Sequence, residues 1–402
     1  MGLRGSTLVI KFIFTLFIAR FMGLETLGLY GLITASTILA LVFLGLGLTH
    51  TLTRKAVTQS PEEITRELWY YGRFTALIYV FVSLSAIAVG VILDQLLLVS
   101  LITLLSLLEH MNNNFYVLLL NRSRILSGNV LHFIRSGAWM CVFMAVSFIW
   151  PSWLSMEVLL SGWIIGNVLA VAGFIWLTRS WPWSFSFSGE SLMAWFVKEF
   201  AYSKVVYVEG MARSASTYVD RYIILLFLGL ELTGVYVFFW SISSALSNLI
   251  ATGVIQFSRP KMVQAFKEKS PTYKDIFKSC LKQTTVISLC MGLIVGGLMY
   301  FVLPHINRPL IWEWYPVLWL VIIGFVFSMV SQVQNLVFYS QHRDDLTLKT
   351  YLILLVGAVG FNFALIPVLG IWGAGISVIC VALLSIVIQH IYIKRLLAVQ
   401  EF

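Results

Sequence analysis

Charge is scarce in this sequence: Asp, Glu, Lys and Arg make up only 11% of its 402 residues. A soluble domain of this size draws about a quarter of its residues from that set to cover its surface, so a water-exposed globule is excluded. Cysteine is nearly absent as well. Cys141, Cys280, Cys290 and Cys380 show no metal-type or redox-type spacing, read as small core residues and imply no disulfide framework. The six histidines are dispersed, and no two share a helix face in the way metal ligands do. There is no phosphate-cradling glycine loop and no His/Asp/Ser constellation, so neither cofactor nor ATP hydrolysis is indicated.

What is abundant is apolar: 59% of residues are hydrophobic and the mean hydropathy is +0.90. Runs such as Leu27–Leu48, Leu77–Leu93 and Leu281–Leu303 match the ~20 residues that cross a bilayer. The chain reads as an all-α polytopic membrane protein. Its formal charge of +9 could suggest nucleic acid, but the basic residues lie in short loops on alternate sides of apolar runs and form no continuous face. Topology explains them better. The first helix lacks a small-residue cleavage site and reads as a retained anchor. A myristoylation match at Met1–Ser6 and a glycosylation match at Asn121–Ser123 are set aside. One acyl chain adds little to a multi-span protein, and the second site falls on the expected cytoplasmic side.

Twelve spans are expected, near residues 6–22, 27–52, 70–93, 95–120, 125–149, 157–178, 203–228, 232–256, 276–303, 313–339, 349–368 and 371–393. One side of this arrangement collects Arg54, Lys55, Arg122, Arg124, Arg179 and the run Arg259 to Lys278, while the other holds little beyond Arg308. That bias places both termini in the cytoplasm. No outer loop exceeds roughly a dozen residues, too short for a folded extramembrane domain.

The octet GLETLGLY at 23–30 returns as GLELTGVY at 229–236, matching at five of eight positions with a constant offset of 206 residues. The aromatic connection 179–202, with Trp181, Trp183, Phe185 and Phe187, suits a membrane interface. It separates a six-helix bundle over 1–178 from a second over 203–402. Six spans per half give both halves one orientation, as parallel repeats about an axis along the membrane normal.

Charges inside spans cost about 2.5–3.5 kcal/mol each at a helix centre. This chain carries Lys11, Arg20, Arg73, Glu109, Arg135, Glu209, Arg213, Asp220 and Arg221 within spans or at their ends. Arg20 and Arg73 sit near span ends and can snorkel. In span seven, Glu209, Arg213, Ser216 and Asp220 fall within roughly 60° on a helical wheel, with Tyr202 continuing the stripe. Such a stripe should face water or other polar groups. Span one adds Arg4, Thr7, Lys11 and Thr15; span four Glu109, Asn113 and Tyr116; span five His132, Arg135 and Ser136. A packed ion-pair network is the alternative to a solvated cavity. The nine ionised groups number six basic and three acidic, which favours an anionic substrate. Lys11, Arg135 and Arg213 suit phosphate, the arginines by bidentate bonding. Gly162/Gly166 and Gly292/Gly296 mark close helix packing.

The run 19–54, with Ala19-Arg20, Gly23, Gly28-Leu29-Tyr30, Gly47-Leu48 and Arg54, resembles the first two spans of bacterial Wzx-type polysaccharide flippases. Asp220-Arg221 with Gly234-Val235-Tyr236, and Asn362, Pro367, Gly370 and Gly373-Ala374-Gly375, extend the likeness into the second half. The resemblance implies the multidrug/oligosaccharidyl-lipid/polysaccharide (MOP) exporter fold, two six-helix bundles in a MATE-like V. It implies as substrate an undecaprenyl-diphosphate-linked oligosaccharide, such as an O-antigen unit for lipopolysaccharide, moved across the bacterial inner membrane toward the polymerase machinery. By position within their spans, Lys11, Arg135, Arg213 and Arg221 match the family's cationic lining. Glu109, Glu209 and Asp220 either serve a coupling ion, H+ or Na+, or neutralise the arginines; the residues leave both open. The nearest rivals share the fold: a drug/cation antiporter, which would favour an acidic cavity, and a peptidoglycan-precursor flippase. A membrane glycan polymerase or acyltransferase would need a large catalytic outer loop. A structural scaffold would need no mid-span charge.

Overall fold

In a computed structural model, which describes residues 2–183 and 190–399, every regular element among the described residues is helical. Phe185 and Phe187 of the aromatic connection lie outside the described residues; Trp181 and Trp183 stack with ring centroids 6.3 Å apart. The first eight helices are α1 (Gly2–Phe17), α2 (Leu24–Gly45), α3 (Leu48–Lys55), α4 (Pro61–Ile92), α5 (Leu96–Asn121), α6 (Ile125–Phe133), α7 (Trp139–Ile149) and α8 (Met156–Leu177). After the connection come α9 (Leu192–Ile250), α10 (Gln256–Lys267), α11 (Tyr273–Val302), α12 (Pro309–Glu313), α13 (Tyr315–Ser340), α14 (Asp344–Leu369) and α15 (Ile371–Val399).

Among the described residues, eleven helical stretches are long and apolar enough to cross a membrane. The longest, Leu192–Lys267, runs for 76 residues and is broken at Gly229, whose φ of 82° and ψ of −178° are non-helical. Two spans therefore lie within it, and the twelve-span expectation holds. On α4 the residues Leu77, Phe81, Leu84, Ile87 and Val91 are all exposed. Their three- and four-residue spacing makes an exposed apolar stripe, as expected of a lipid-facing helix.

Compactness divides the chain into two units, Met1–Phe14 with Ile33–Met211, and Thr15–Leu32 with Ala212–Phe402. The first packs Leu48, Leu52, Ile64, Leu118 and Phe174 into one core, with Phe115 stacked on Phe174 at 3.9 Å. The second buries Met262, Tyr273, Cys280, Val333 and Phe338. All four cysteines are free thiols.

The repeated octets have the same backbone. Gly23 sits at φ 99°, ψ 169°, close to the values at Gly229, in a region that only glycine enters without strain. Next to each break a threonine hydroxyl donates to a carbonyl one turn back, Thr26 to Met22 at 3.1 Å and Thr233 to Gly229 at 2.7 Å. The octets also touch. A Cβ on Gly28 would collide with the Leu230 carbonyl, and one on Gly234 with the Leu24 carbonyl. Within the second unit, then, the start of α2 crosses residues 230–234 at backbone contact, a distance that two glycines permit. Glu25 and Glu231 are exposed at this crossing.

Candidate functional site

In the first unit the polar groups of spans one, four, five and six converge. Glu109, on α5, is the centre. Its Oε2 accepts from Arg135 Nη1 at 2.7 Å, and its Oε1 accepts from Trp163 Nε1 at 2.8 Å and Asn167 Nδ2 at 3.0 Å. Trp163 and Asn167 are four residues apart on α8, hence on one face. Asn167 in turn accepts from Asn112 Nδ2 at 2.9 Å. Arg135 lies in a π-helical turn, Ile134–Ala138, between α6 and α7; the extra residue in that turn re-aims its side chain relative to a regular helix. Arg135 is buried, and its Nε has no hydrogen-bond partner among the described residues.

Cations surround this pair. Lys11, exposed on α1, lies within electrostatic reach of both Glu109 and Arg135. His132 lies within reach of Arg135, Lys11 and Arg4. Arg4 donates from Nε to Asn129 Oδ1 at 3.1 Å and from Nη2 to the Tyr116 hydroxyl. Its guanidinium sits 5.5 Å from the Tyr116 ring centre. The cluster therefore sets three basic side chains, Arg4, Lys11 and Arg135, against one carboxylate. Because that carboxylate is saturated by three donors, it fixes the geometry of Arg135, while the surplus positive charge comes from Arg4 and Lys11.

In the second unit the expected stripe of span seven divides. Arg213 is exposed, with its guanidinium 5.8 Å from the Tyr351 ring, and the Ser216 hydroxyl donates back to its carbonyl at 2.9 Å. Asp220 is instead buried. It accepts from the Arg221 backbone N–H at 2.8 Å and from the hydroxyl of Tyr236, the last residue of the second octet. Arg221 is also buried. It donates from Nη1 to the Gly31 carbonyl at 3.4 Å and lies over Tyr218 at 4.8 Å and Trp240 at 5.7 Å. Glu209 is half-buried and falls in the first unit. Seven candidates thus occupy different settings. Glu109, Arg135 and Lys11 form one cluster, Asp220 and Arg221 are built into the octet crossing, and Arg213 and Glu209 lie accessible along α9.

Arg20 and Arg73 are exposed, consistent with snorkelling, and Arg73 lies 5.8 Å from the Trp69 ring. Trp163, Asn167 and Asn129 were not expected at the site, although a helical wheel of span six would have paired the first two. Tyr236 and Arg308 were not expected to anchor anything. Arg308 donates to the carbonyls of Ala19 at 3.0 Å and Arg20 at 3.1 Å, and so caps the end of the first span. A single sequence carries no signal for a loop arginine that meets carbonyls some 290 positions away.

A second buried network in the first unit contains no ion. Thr49 donates to Asn114 Oδ1 at 2.6 Å, Asn114 to the Tyr71 hydroxyl at 2.7 Å, and Tyr71 pairs with His110 Nε2 at 2.6 Å. Tyr79 donates to the Ser106 carbonyl at 3.2 Å, so its oxygen is left to accept from His110 Nδ1 at 3.3 Å. The polar run Glu109 to Asn114 is thus divided between two partners: Glu109 and Asn112 turn to α8, His110 and Asn114 to α3 and α4.

The sequence model of the polysaccharide biosynthesis protein family matches residues 2–266. Among solved structures, the chain is similar to an inward-facing multidrug resistance MATE family transporter of the MOP superfamily. The identity is 13%, with 98% of this chain and 96% of that chain covered and a TM-score of 0.78. It is similar also to the lipid II flippase MurJ in an inward closed conformation, at 13% identity, 96% and 86% coverage and a TM-score of 0.79. No curated protein matches by sequence. At such identities the structural likeness is one of fold, and these structural neighbours are a transporter and a flippase. The family match covers more than half of the chain: it is a multi-pass membrane protein that belongs to the polysaccharide biosynthesis protein family, with the MOP-superfamily fold.

Proposed function

We propose that the chain flips a polyprenyl-diphosphate-linked oligosaccharide, an O-antigen or similar surface-polysaccharide unit, from the cytoplasmic to the periplasmic leaflet of a bacterial inner membrane. The observation that carries this reading is the cluster of basic residues Arg4, Lys11 and Arg135 inside the spans of the first unit. Mid-membrane cations are expensive, and a diphosphate is the anion that such a lipid-linked sugar presents. Arg135, held by Glu109, supplies a fixed fork; Lys11 supplies a mobile charge. Arg213 and Arg221 serve the same substrate from the second unit, with Arg213 the accessible one. The polyprenyl tail stays in lipid while the six-span halves 1–178 and 203–402, joined by 179–202, alternate access. Both termini are cytoplasmic in this scheme, and the flipped product passes to the polymerase machinery. Energy comes from an H+ or Na+ gradient or from that consumption. Glu109 is committed to Arg135, which leaves Asp220 and Glu209 as the better candidates for a coupling ion.

A lipid II flippase is the second reading, supported by the likeness to MurJ, and it shares the diphosphate handle. The surplus of cations argues against a cationic-drug exporter. The test is leaflet-resolved detection of the lipid-linked oligosaccharide in reconstituted vesicles. Wild-type protein is expected to expose it on the opposite leaflet, and Lys11→Ala to slow this by at least tenfold. Equal rates with and without protein would overturn the proposal.

A further inference from the structure

Three connections of the first unit meet on the side where the basic loops gather: the turn into α4, the α5–α6 turn and the segment following α8. Between them lies a cleft of about 700 Å³, within the range of about 300–1,000 Å³ typical of small-molecule sites. None of Arg4, Lys11, Glu109 and Arg135 lines it. We propose that this cleft is a separate binding site for a phosphodiester that bears hydroxyl groups, the chemistry of an anionic glycerol-type headgroup.

Two arginines carry the phosphate chemistry. Arg122 and Arg124 flank Ser123, whose φ of 58° reverses the chain and lets residues two apart line one cleft. Each is held by a backbone carbonyl at the end of a neighbouring segment. Arg122 Nη1 donates to Gln59 O at 2.9 Å and Ala56 O at 3.3 Å, and Arg124 Nη1 donates to Leu177 O at 3.0 Å. A guanidinium has five N–H donors, so each arginine is pinned with most of its fork still available. Ordering the fork before a ligand arrives removes part of the entropy cost of binding, and the planar fork matches phosphate oxygens bidentately.

The remaining lining selects the rest of the ligand. Glu62 and Asn121 offer acceptors for hydroxyls, and Ser60 offers a hydroxyl at the start of the 32-residue α4. Glu62 does not take part in the α4 capping box, which uses Ser60 and Glu63, and so remains free to act on a ligand. Its negative charge disfavours a doubly charged phosphate monoester and leaves the singly charged diester preferred. Trp181, stacked on Trp183, closes one side with an apolar wall. A lipid headgroup of the adjoining leaflet and a free polyol phosphodiester share this chemistry.

The experiment titrates the purified full-length protein in detergent and reads the thermal unfolding midpoint. Phosphatidylglycerol is expected to stabilise it at concentrations about tenfold below phosphatidylcholine, with Arg124→Gln raising the half-saturating concentration about tenfold, the scale of one charge-assisted bond. Lys282→Gln removes one exposed charge from the second unit and is expected to leave that concentration unchanged. Free glycerophosphoglycerol separates the two sources: a response equal to the lipid's assigns the site to the soluble ester, and none assigns it to the headgroup. Should Arg124→Gln fold poorly, Glu62→Gln provides an independent reading, with phosphatidic acid expected to gain on phosphatidylglycerol. Equal responses to the two neutral and anionic lipids, equal shifts in Arg124→Gln and Lys282→Gln, or unchanged selectivity in Glu62→Gln would each overturn the site.

Discussion

Arg135 and Glu109 form a 2.7 Å ion pair between a π-helical turn and the middle of α5, and the carboxylate takes two further donors from α8. Three spans are therefore held by one pair of opposite charges, and most of the positive charge that is left for a ligand is supplied by the residues around it.

Breaking this pair from either side should be worse than removing it altogether. Arg135→Ala leaves the half-buried Glu109 without its cation and Glu109→Gln leaves the buried Arg135 without its carboxylate, each at a cost of about 3–5 kcal/mol. The double variant should recover a large part of that stability and yet fail to restore transport. Thermal unfolding in detergent and vesicle flipping assays, run on all four proteins, check both halves of this expectation.

The octet crossing predicts opposite outcomes for two glycine-to-alanine changes. Gly234→Ala places a methyl group against the Leu24 carbonyl and should destabilise by about 1–3 kcal/mol. Gly297, on α11, has open space at its Cβ position, so Gly297→Ala should be neutral or stabilise by up to about 1 kcal/mol through helix propensity. Paired melting curves of the two variants test the contact.

Lys55 Nζ bridges Glu67 at 3.0 Å and Glu199 at 2.7 Å, which ties the start of α9 to α3 and α4. Burial works against its charge, but hydrogen bonds and attraction from Glu199 and Glu67 outweigh this and raise its pKa above the ordinary lysine value. A raised lysine stabilises fully below the unfolded value of about 10.4 and loses that contribution as pH climbs through the folded value. Wild type should therefore lose stability in alkaline solution above about pH 10.4. Lys55→Met should start lower, by about 3 kcal/mol, and lack that transition. Melting temperature against pH separates them.

Arg308→Ala should uncap the first span. Two carbonyl bonds to charged donors, each worth about 1.5–3 kcal/mol, are lost at Ala19 and Arg20. Hydrogen exchange of the amides around Gly23 is expected to rise while that of α5 stays unchanged.

Much of the architecture could be read from the sequence because a bilayer imposes coarse rules. Apolar run length set the span count, loop arginines and lysines set the expected sidedness, and the octet offset exposed the repeat. The wheel of span seven was less informative. It grouped Asp220 with Arg213, but Asp220 is buried against Tyr236, because a single-helix wheel does not include the neighbouring helix. Likewise the wheel of span four singled out Glu109, Asn113 and Tyr116, whereas the polar residues between them, 100° apart from one to the next, serve different neighbours. The partners of Glu109 come from α8, and their contribution depends on packing that spacing alone does not encode.

The paired octets also tie together two positions 206 residues apart. In the crossing, the backbone of each octet is the surface on which the glycine of the other rests. Enlarging either Gly28 or Gly234 would displace the backbone that carries the other, so a change tolerated at one depends on the residue at its counterpart.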